Sequence, residues 1–216
     1  MEVETTPAIP LWINGHAYLT VAAAFYEVRN PLTGEVLRRT PLCDASVAQH
    51  AVATARAAAA AWAAQRPGAR AALLGALADA LSGYAGHFTA LLAEETGEPA
   101  AAVAEVAQTV ALLRGELNPV SVESTGRDGV QNTAPVAAIV GAASAPLYGV
   151  LRLAVPALLA GAAVIVKPNP ATPSALYALA ELTARYRFPD GVFSVVQGGE
   201  AAVDGLRAGD VRMVFA

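Results

Sequence analysis

The residue most suggestive of chemistry is Lys167, the single lysine in a chain of 216 residues. It ends the apolar run Ala162-Ala-Val-Ile-Val-Lys167, and Pro168 and Pro170 follow shortly after. Such a β-branched run predicts a strand buried on both faces, which the prolines would terminate because proline cannot continue a sheet ladder. Lys167 is then expected at the carboxyl end of a parallel strand, where open α/β sheets bind ligands. The alternative is a lysine exposed at a strand end without a ligand.

The other reactive side chains show no catalytic or metal-binding spacing. Cys43 is the single cysteine, which excludes an intrachain disulfide and is consistent with a reducing, cytoplasmic compartment. Its apolar neighbours predict an inert, packed thiol. His16, His50 and His87 are scattered along the chain, so we predict neither a catalytic residue nor a metal ligand among them.

Composition excludes several classes of protein. Apolar residues make up 55% of the chain and charged residues 15%, which predicts a folded domain with a sizeable core. The formal net charge of −4 gives no basic surface for nucleic acid. The acidic N-terminus lacks the features of a signal peptide. Two uncharged stretches, 129–151 and 153–166, are broken by prolines, glycines and Arg152, so buried strands and a helix explain them better than a membrane span.

Changes in composition and residue pattern divide the chain into four segments of one domain, 1–216. Residues 1–43 predict a loose arm and a small β-meander with a turn at Asn14-Gly15. Residues 44–115 are alanine-rich and predict four helices, the first of which Asp44 or Ser46 can cap. Residues 116–133 are polar and glycine-containing, which suggests an exposed flap.

Strand and helix patterns alternate through the last segment, 134–216. The pattern predicts strands over 136–140, 163–166, 191–196 and 211–215, separated by helices over 146–159, 173–185 and 200–206. Such βαβ repeats imply a parallel sheet with helices on both faces. The predicted fold class is therefore α/β, with a Rossmann-like parallel sheet preceded by the β-meander and the alanine-rich helices.

The order of short motifs along the whole chain resembles the N-terminal, cofactor-binding half of the aldehyde dehydrogenase superfamily. The motifs that carry this resemblance are Ile13-Asn-Gly15, Asn30-Pro-Leu-Thr-Gly-Glu35, Ala61-Trp62, Glu94-Glu-Thr-Gly-Glu-Pro99, Val155-Pro-Ala-Leu-Leu-Ala-Gly161, Val164-Ile-Val-Lys-Pro168 and Gly191-Val-Phe-Ser-Val-Val-Gln-Gly-Gly199. The resemblance implies NAD or NADP as the cofactor, with Lys167 on the adenosine ribose and Gly198 and Gly199 as further cofactor-binding residues. Whether either dinucleotide is bound stays open.

Two positions depart from the family's motifs. Pro170 falls where the family's Lys-Pro-Ser-Glu motif has its glutamate, so an acceptor for the ribose hydroxyls is missing; this should weaken NAD binding by about 1–3 kcal/mol. Ser144 falls where Thr-Pro-Trp-Asn-Phe-Pro has its oxyanion-hole asparagine, and Ala143 replaces the tryptophan. Losing one oxyanion donor typically slows catalysis by about 100- to 1,000-fold. Ser144 as a nucleophile is the alternative, but it lacks a Gly-x-Ser-x-Gly elbow.

The third departure is at Ala216, which takes the place of the threonine in the family's Phe-Thr-Gly-Ser. The catalytic domain, with its cysteine and glutamate, is expected to be absent, and without a thiolate and a base no hydride transfer follows. Three functions remain open: a non-catalytic structural, assembly or lid module; the cofactor-binding portion of an NAD(P)-dependent aldehyde dehydrogenase, truncated or completed by another chain; or a small-ligand-binding module. In each case we expect self-association or another chain on the exposed sheet edge, and neither nucleic acid nor membrane as a partner.

Overall fold

The computed structural model describes residues 6–117 and 135–216 of the chain. The predicted flap at 116–133 therefore lies almost entirely outside the described residues. The strands are β1 Leu11–Ile13, β2 His16–Tyr18, β3 Phe25–Arg29, β4 Val36–Pro41, β5 Val136–Val140, β6 Ala163–Lys167, β7 Phe193–Val195 and β8 Arg212–Phe215. The helices are α1 Ala45–Ala63, α2 Pro67–Gly83, α3 Ala85–Thr96, α4 Pro99–Leu113, α5 Tyr148–Ala160, α6 Ser174–Arg185 and α7 Glu200–Ala208.

The central sheet has the strand order β2-β1-β7-β6-β5-β8. Strands β7, β6, β5 and β8 are mutually parallel, and β1 joins them antiparallel to β7. The parallel βαβ core predicted from the alternating pattern is confirmed. In this order β8 forms one edge of the sheet, so its outer side has no neighbouring strand among the described residues.

The N-terminal strands are present, but they form two hairpins in separate sheets and not one continuous meander. Strands β1 and β2 pair around Asn14 and Gly15, whose φ angles of 58° and 76° give the left-handed backbone that a tight hairpin turn requires. Strands β3 and β4 form their own two-stranded sheet. The meander prediction missed this because local turn signals do not reveal that Trp12 of β1 pairs with Val195 of β7.

Helices cover both faces of the parallel strands, because the side chains of a strand alternate between the two faces. Ala137 and Ile139 of β5 pack into a large cluster with α2, α4, α5 and α6. Val136 and Ala138, between them in sequence, pack into a second cluster with α1 and α7. The alanine-rich α1 begins where predicted, since the Asp44 carboxylate caps it by accepting the Val47 N–H at 3.1 Å.

Trp62 joins α1 to α5 at the centre of the larger cluster. Its ring is fully buried and stacks on Phe188 with centroids 5.9 Å apart, and its Nε1–H donates to the Leu158 carbonyl at 3.0 Å. Trp12 is also buried, but its Nε1–H has no partner among the described residues. The two tryptophans are therefore a matched pair that differs in one hydrogen bond.

We expect Trp62→Phe to lower the free energy of unfolding by about 1 kcal/mol more than Trp12→Phe. Both changes remove part of an indole, but only the first removes a hydrogen bond, after which the Leu158 carbonyl keeps the Gly161 N–H as its donor. Urea unfolding of the two variants and the unsubstituted protein measures the difference. Equal losses for both variants would mean that the bond to Leu158 contributes nothing to stability.

Candidate functional site

The loops after the parallel strands meet at the carboxyl edge of the sheet. Lys167 ends β6, and Gly198 and Gly199 follow the neighbouring strand β7. The loop after β5 is tied to the same edge because the Gly141 N–H donates to the Lys167 carbonyl at 2.9 Å. The structure thus brings the three residues predicted to bind a cofactor to adjoining strand ends, while their role in binding stays a prediction.

Lys167 is buried at this edge. Only 5% of the residue is exposed, so the interpretation as a solvated lysine at an exposed strand end is wrong. Its Nζ donates to the Pro168 carbonyl at 2.9 Å. Burial lowers the pKa of the ammonium because the charged form loses hydration. A ligand hydroxyl could use this ammonium only by competing with the Pro168 carbonyl or by accepting another of its protons.

The turn after Lys167 offers a ligand little. Asn169 uses its Oδ1 to accept the Ala171 N–H at 2.9 Å, and its carbonyl accepts the Thr172 N–H at 3.0 Å. Pro170 lies at the tip of this turn and has neither a side-chain acceptor nor a backbone N–H. No carboxylate in the turn can therefore accept from a ribose.

The two glycines have different roles in the structure. Gly198 has a φ of 148°, and a Cβ there would come within 2.7 Å of the Ala202 Cβ, so this position needs glycine for packing. Gly199 precedes the first turn of α7, and a Cβ there would contact nothing within 4 Å. Glu200 occupies that first turn, where its negative charge opposes a phosphate at the helix N-terminus.

Glu95 belongs to the motif Glu94-Glu-Thr-Gly-Glu-Pro99 and is a buried carboxylate that the motif did not predict as a site residue. It accepts both the N–H and the Oγ–H of Ser174, and Arg38 Nη1 lies 3.5 Å from its Oε1. Burial raises the pKa of Glu95 to about 7, although the two Ser174 donors and the Arg38 charge oppose the shift. Near neutral pH this carboxyl group is therefore divided between its acid and its carboxylate form.

Glu105 is the second buried carboxylate. Its Oε1 accepts the N–H groups of Leu147 at 2.6 Å and Tyr148 at 2.8 Å, which caps the N-terminus of α5 from the neighbouring helix α4. Burial raises the pKa of Glu105, and the two N–H donors counteract that shift. Glu95 and Glu105 both line a cavity of about 290 Å³ together with Ser144.

Helical spacing was the signal that could have found these two residues. Glu95 follows Leu91 and Leu92 on the buried face of α3, and Glu105 precedes Val106 and Thr109 on that of α4. An acidic residue on the same helix face as the core positions predicts a buried carboxylate with a specific partner, because unpaired charges are rarely buried.

The nucleophile candidates gain no support from the structure. Ser144 is exposed on the loop between β5 and α5, and no histidine in the described ranges hydrogen-bonds to it. Cys43 is buried, and burial together with the nearby Asp44 charge raises the pKa of its thiol to about 11. The predicted packing of this thiol is confirmed by its burial, whereas its lack of reactivity stays a prediction, which the raised pKa supports because it favours the protonated form at neutral pH.

The described ranges, 6–117 and 135–216, contain neither a metal-ligand cluster nor a helix that could span a membrane. In those ranges no three side chains of His, Cys, Asp or Glu are grouped so as to hold a metal ion. In the same ranges, no helix has the length and apolarity that crossing a membrane requires.

Comparison with known proteins identifies the family of this chain. The model of the aldehyde dehydrogenase family matches residues 19–215. The chain belongs to this family. N-succinylglutamate 5-semialdehyde dehydrogenase from Escherichia coli is 33% identical over 208 residues, which cover 92% of this chain and 42% of that protein. The chain thus spans less than half of this relative, and the match is to the N-terminal half of the aldehyde dehydrogenases.

Solved aldehyde dehydrogenases share the fold at low sequence identity. Lactaldehyde dehydrogenase from Escherichia coli superposes with a TM-score of 0.80 at 23% identity, covering 98% of this chain and 52% of the other. An aldehyde dehydrogenase C mutant from Pseudomonas syringae, complexed with NAD+ and octanal, gives a TM-score of 0.78 at 21% identity, covering 95% and 49%. The resemblance predicted from the motifs is confirmed as to family and fold.

Proposed function

We propose that this chain is a non-catalytic, aldehyde dehydrogenase-like module that keeps the fold of the cofactor-binding half but binds NAD and NADP poorly. The proposal rests on the two residues at the ribose-binding positions of the family's Lys-Pro-Ser-Glu motif, Lys167 and Pro170. Lys167 is buried on the Pro168 carbonyl, and Pro170 stands where the family motif has a carboxylate. The residues present therefore do not fit a dinucleotide in the way the family motif does.

Two further features support a non-catalytic role. Glu200 places a negative charge at the N-terminus of α7, where it opposes a phosphate group. Cys43 is buried and its pKa is raised to about 11, so this thiol is a poor candidate for a thiolate nucleophile. Structural or assembly roles remain compatible with such a module, since a shared fold does not dictate an activity. Its cytoplasmic location is also a prediction.

Restoring the carboxylate tests the proposal. We expect Pro170→Glu to bind NAD at least about tenfold more tightly than the unsubstituted protein, because the new carboxylate can accept from the ribose hydroxyls. NADP should gain nothing, since its 2′-phosphate would meet a like charge. Isothermal titration calorimetry measures both affinities, and the unsubstituted protein should bind NAD with a Kd weaker than about 1 mM.

Two control variants make that titration decisive. Pro170→Ala removes the proline without adding an acceptor, so it should not reproduce the gain. Lys167→Ala should change little in a protein that hardly binds NAD. Micromolar NAD binding by the unsubstituted protein that Lys167→Ala abolishes would overturn the proposal and favour the second candidate, the cofactor-binding portion of a working NAD(P)-dependent dehydrogenase.

That second candidate has support from the sheet edge. Phe215 in β8 is 62% exposed, and an apolar groove of about 150 Å³ lies between β8 and α5, lined in part by Ile139, Leu153 and Val214. Because the match covers only the N-terminal half of the relatives, polypeptide equivalent to their second half is the natural occupant of this edge.

Sedimentation over a wide concentration range tests for a partner at this edge. We expect the isolated chain to self-associate, and Phe215→Lys to weaken that association because a charge would have to be buried in the contact. Leu32→Lys, at another exposed apolar residue, is the matched control and should change nothing. A strictly monomeric protein at every concentration would contradict the expectation.

A further inference from the structure

The cavity of about 290 Å³ lies between two helices and two loops at the carboxyl edge of the sheet. Helices α3 and α4 form one side, and the loops after β5 and β6 form the other. The loop side is built largely from small residues, among them Ala143, Ala145 and Ala171. Its volume is close to the lower end of the range for small-molecule sites.

The charged residues on the cavity wall are all acidic. Glu95, Glu98 and Glu105 line it, and no lysine, arginine or histidine is among its described lining residues. Glu98 is exposed on the wall, whereas Glu95 and Glu105 are buried. Both N–H donors to Glu105 go to Oε1, and within the described ranges no donor is directed to Oε2. An acceptor for an additional donor therefore remains on the Glu105 carboxylate.

The counter-charge of Arg38 reaches only one of these carboxylates. Its Nη1 lies 3.5 Å from Glu95, and its Nη2 donates to Glu94 at 2.9 Å. Neither Glu98 nor Glu105 forms a salt bridge within the described parts of the chain. A ligand that enters the cavity thus encounters two carboxylates with no basic partner.

Thr172 provides an observation independent of charge. It lines the cavity and is only 3% exposed, yet its Oγ1 makes no hydrogen bond with any described residue. Leaving a buried hydroxyl unpaired is unfavourable, so such a group signals a missing partner. A ligand that donates to Oγ1 would supply that partner.

We propose that this cavity binds a small aliphatic ammonium ion. The ammonium group donates to the carboxylates and to the Thr172 Oγ1, since it carries three N–H donors and no acceptor. The short hydrocarbon chain packs against the alanine side chains of the loop wall. This site shares no residue with the Lys167 and Pro170 pair, so it does not depend on whether the protein binds a dinucleotide.

The test is a ligand-observed NMR titration with n-butylammonium at neutral pH. Two probes of the same length separate charge from apolar contact: neutral 1-butanol and anionic butyrate. We expect butylammonium to bind at least about tenfold more tightly than 1-butanol, and butyrate not to bind, because hydrogen bonds to charged groups discriminate by about this much. Binding of butylammonium no tighter than that of 1-butanol, or no binding at all, would overturn the proposal.

Substitutions on the cavity wall locate the binding. Glu98→Gln changes an exposed residue and should weaken butylammonium binding about tenfold, whereas Glu116→Gln, an exposed carboxylate away from the cavity, should not. Ala143→Trp should abolish binding by filling the space. Thr172→Val should weaken binding severalfold without lowering stability, because the hydroxyl it removes has no partner to lose. Neither Glu98→Gln nor Thr172→Val is expected to disturb the fold. If both left the affinity for butylammonium unchanged, the assignment of binding to this cavity would be wrong.

Discussion

Replacing Arg70 with methionine is expected to lower the free energy of unfolding by about 3–4 kcal/mol, the largest loss among the substitutions considered. Arg70 is only 6% exposed, and its guanidinium joins the ends of two helices. It donates to the Leu159 carbonyl in the last turn of α5 at 2.9 Å, and to the carbonyls of Ala63 at 3.1 Å and Gln65 at 2.6 Å, at the end of α1. Methionine fills similar space but leaves these carbonyls without a donor.

The charge of Arg70 adds to the effect of its hydrogen bonds. The last carbonyls of a helix carry partial negative charge and have no partner within the helix, so a cation there is stabilising. Arg70→Lys keeps the charge but not the planar set of five donors, and should recover only part of the loss. Urea unfolding of Arg70→Met, Arg70→Lys and the unsubstituted protein measures these differences in the free energy of unfolding.

An exposed arginine is the control for this experiment. Arg207 pairs with Asp204 on the surface, and such pairs contribute little, so Arg207→Met should cost less than about 1 kcal/mol. If Arg70→Met were no more destabilising than Arg207→Met, the guanidinium would not be holding the two helix ends together.

The second large effect is a gain of stability in Glu95→Gln that appears only as pH rises. Burial raises the pKa of Glu95 from 4.5 to about 7, so between these values the folded protein binds more protons than the unfolded chain. Stability from this group therefore falls as pH rises through that window, by about 3 kcal/mol in total. Glutamine cannot ionise, and it can still accept the Ser174 N–H, so the variant avoids the loss.

Thermal and urea unfolding at about pH 5 and about pH 8 test this expectation. The variant and the unsubstituted protein should be similar in stability at the lower pH, and the variant should be clearly more stable at the higher one. Glu116→Gln, at an exposed carboxylate, should leave the pH dependence as it was. Parallel pH profiles for Glu95→Gln and the unsubstituted protein would show that Glu95 does not ionise within this window.

The residues on which the two proposals rest lie in the same two loops, after β5 and after β6. The loop after β6 holds Pro170, at which we propose that an acceptor for the dinucleotide is missing, and Thr172, whose hydroxyl lacks a partner in the described structure. The loop after β5 holds Ser144 and the small residue Ala143, which leaves open the space that a larger side chain would fill. The departures from the family's motifs are thus next to the cavity that we propose as a new site.

Much of the fold could be predicted because its signals are local. The break at Pro168, the Asp44 cap of α1 and the alternation of strands and helices from residue 136 onward each depend on near neighbours in sequence. Sheet partners do not, and local turn signals therefore predict a single N-terminal meander although β1 pairs with β7. The residues of a strand predict that it is buried, but they do not predict which distant strand lies beside it.

The sequence by itself determined the family, the parallel α/β core and the position of Lys167 at a strand end, since periodicity and motif order suffice for these. Only the tertiary structure decided what that lysine contacts: it is buried on the Pro168 carbonyl, and not exposed. The same holds for Glu95, whose Ser174 partner is 79 positions away, and for Arg70, whose Leu159 partner is 89 positions away. The energy of a buried polar group depends on the partners that folding brings to it, and these cannot be read from its neighbours in sequence.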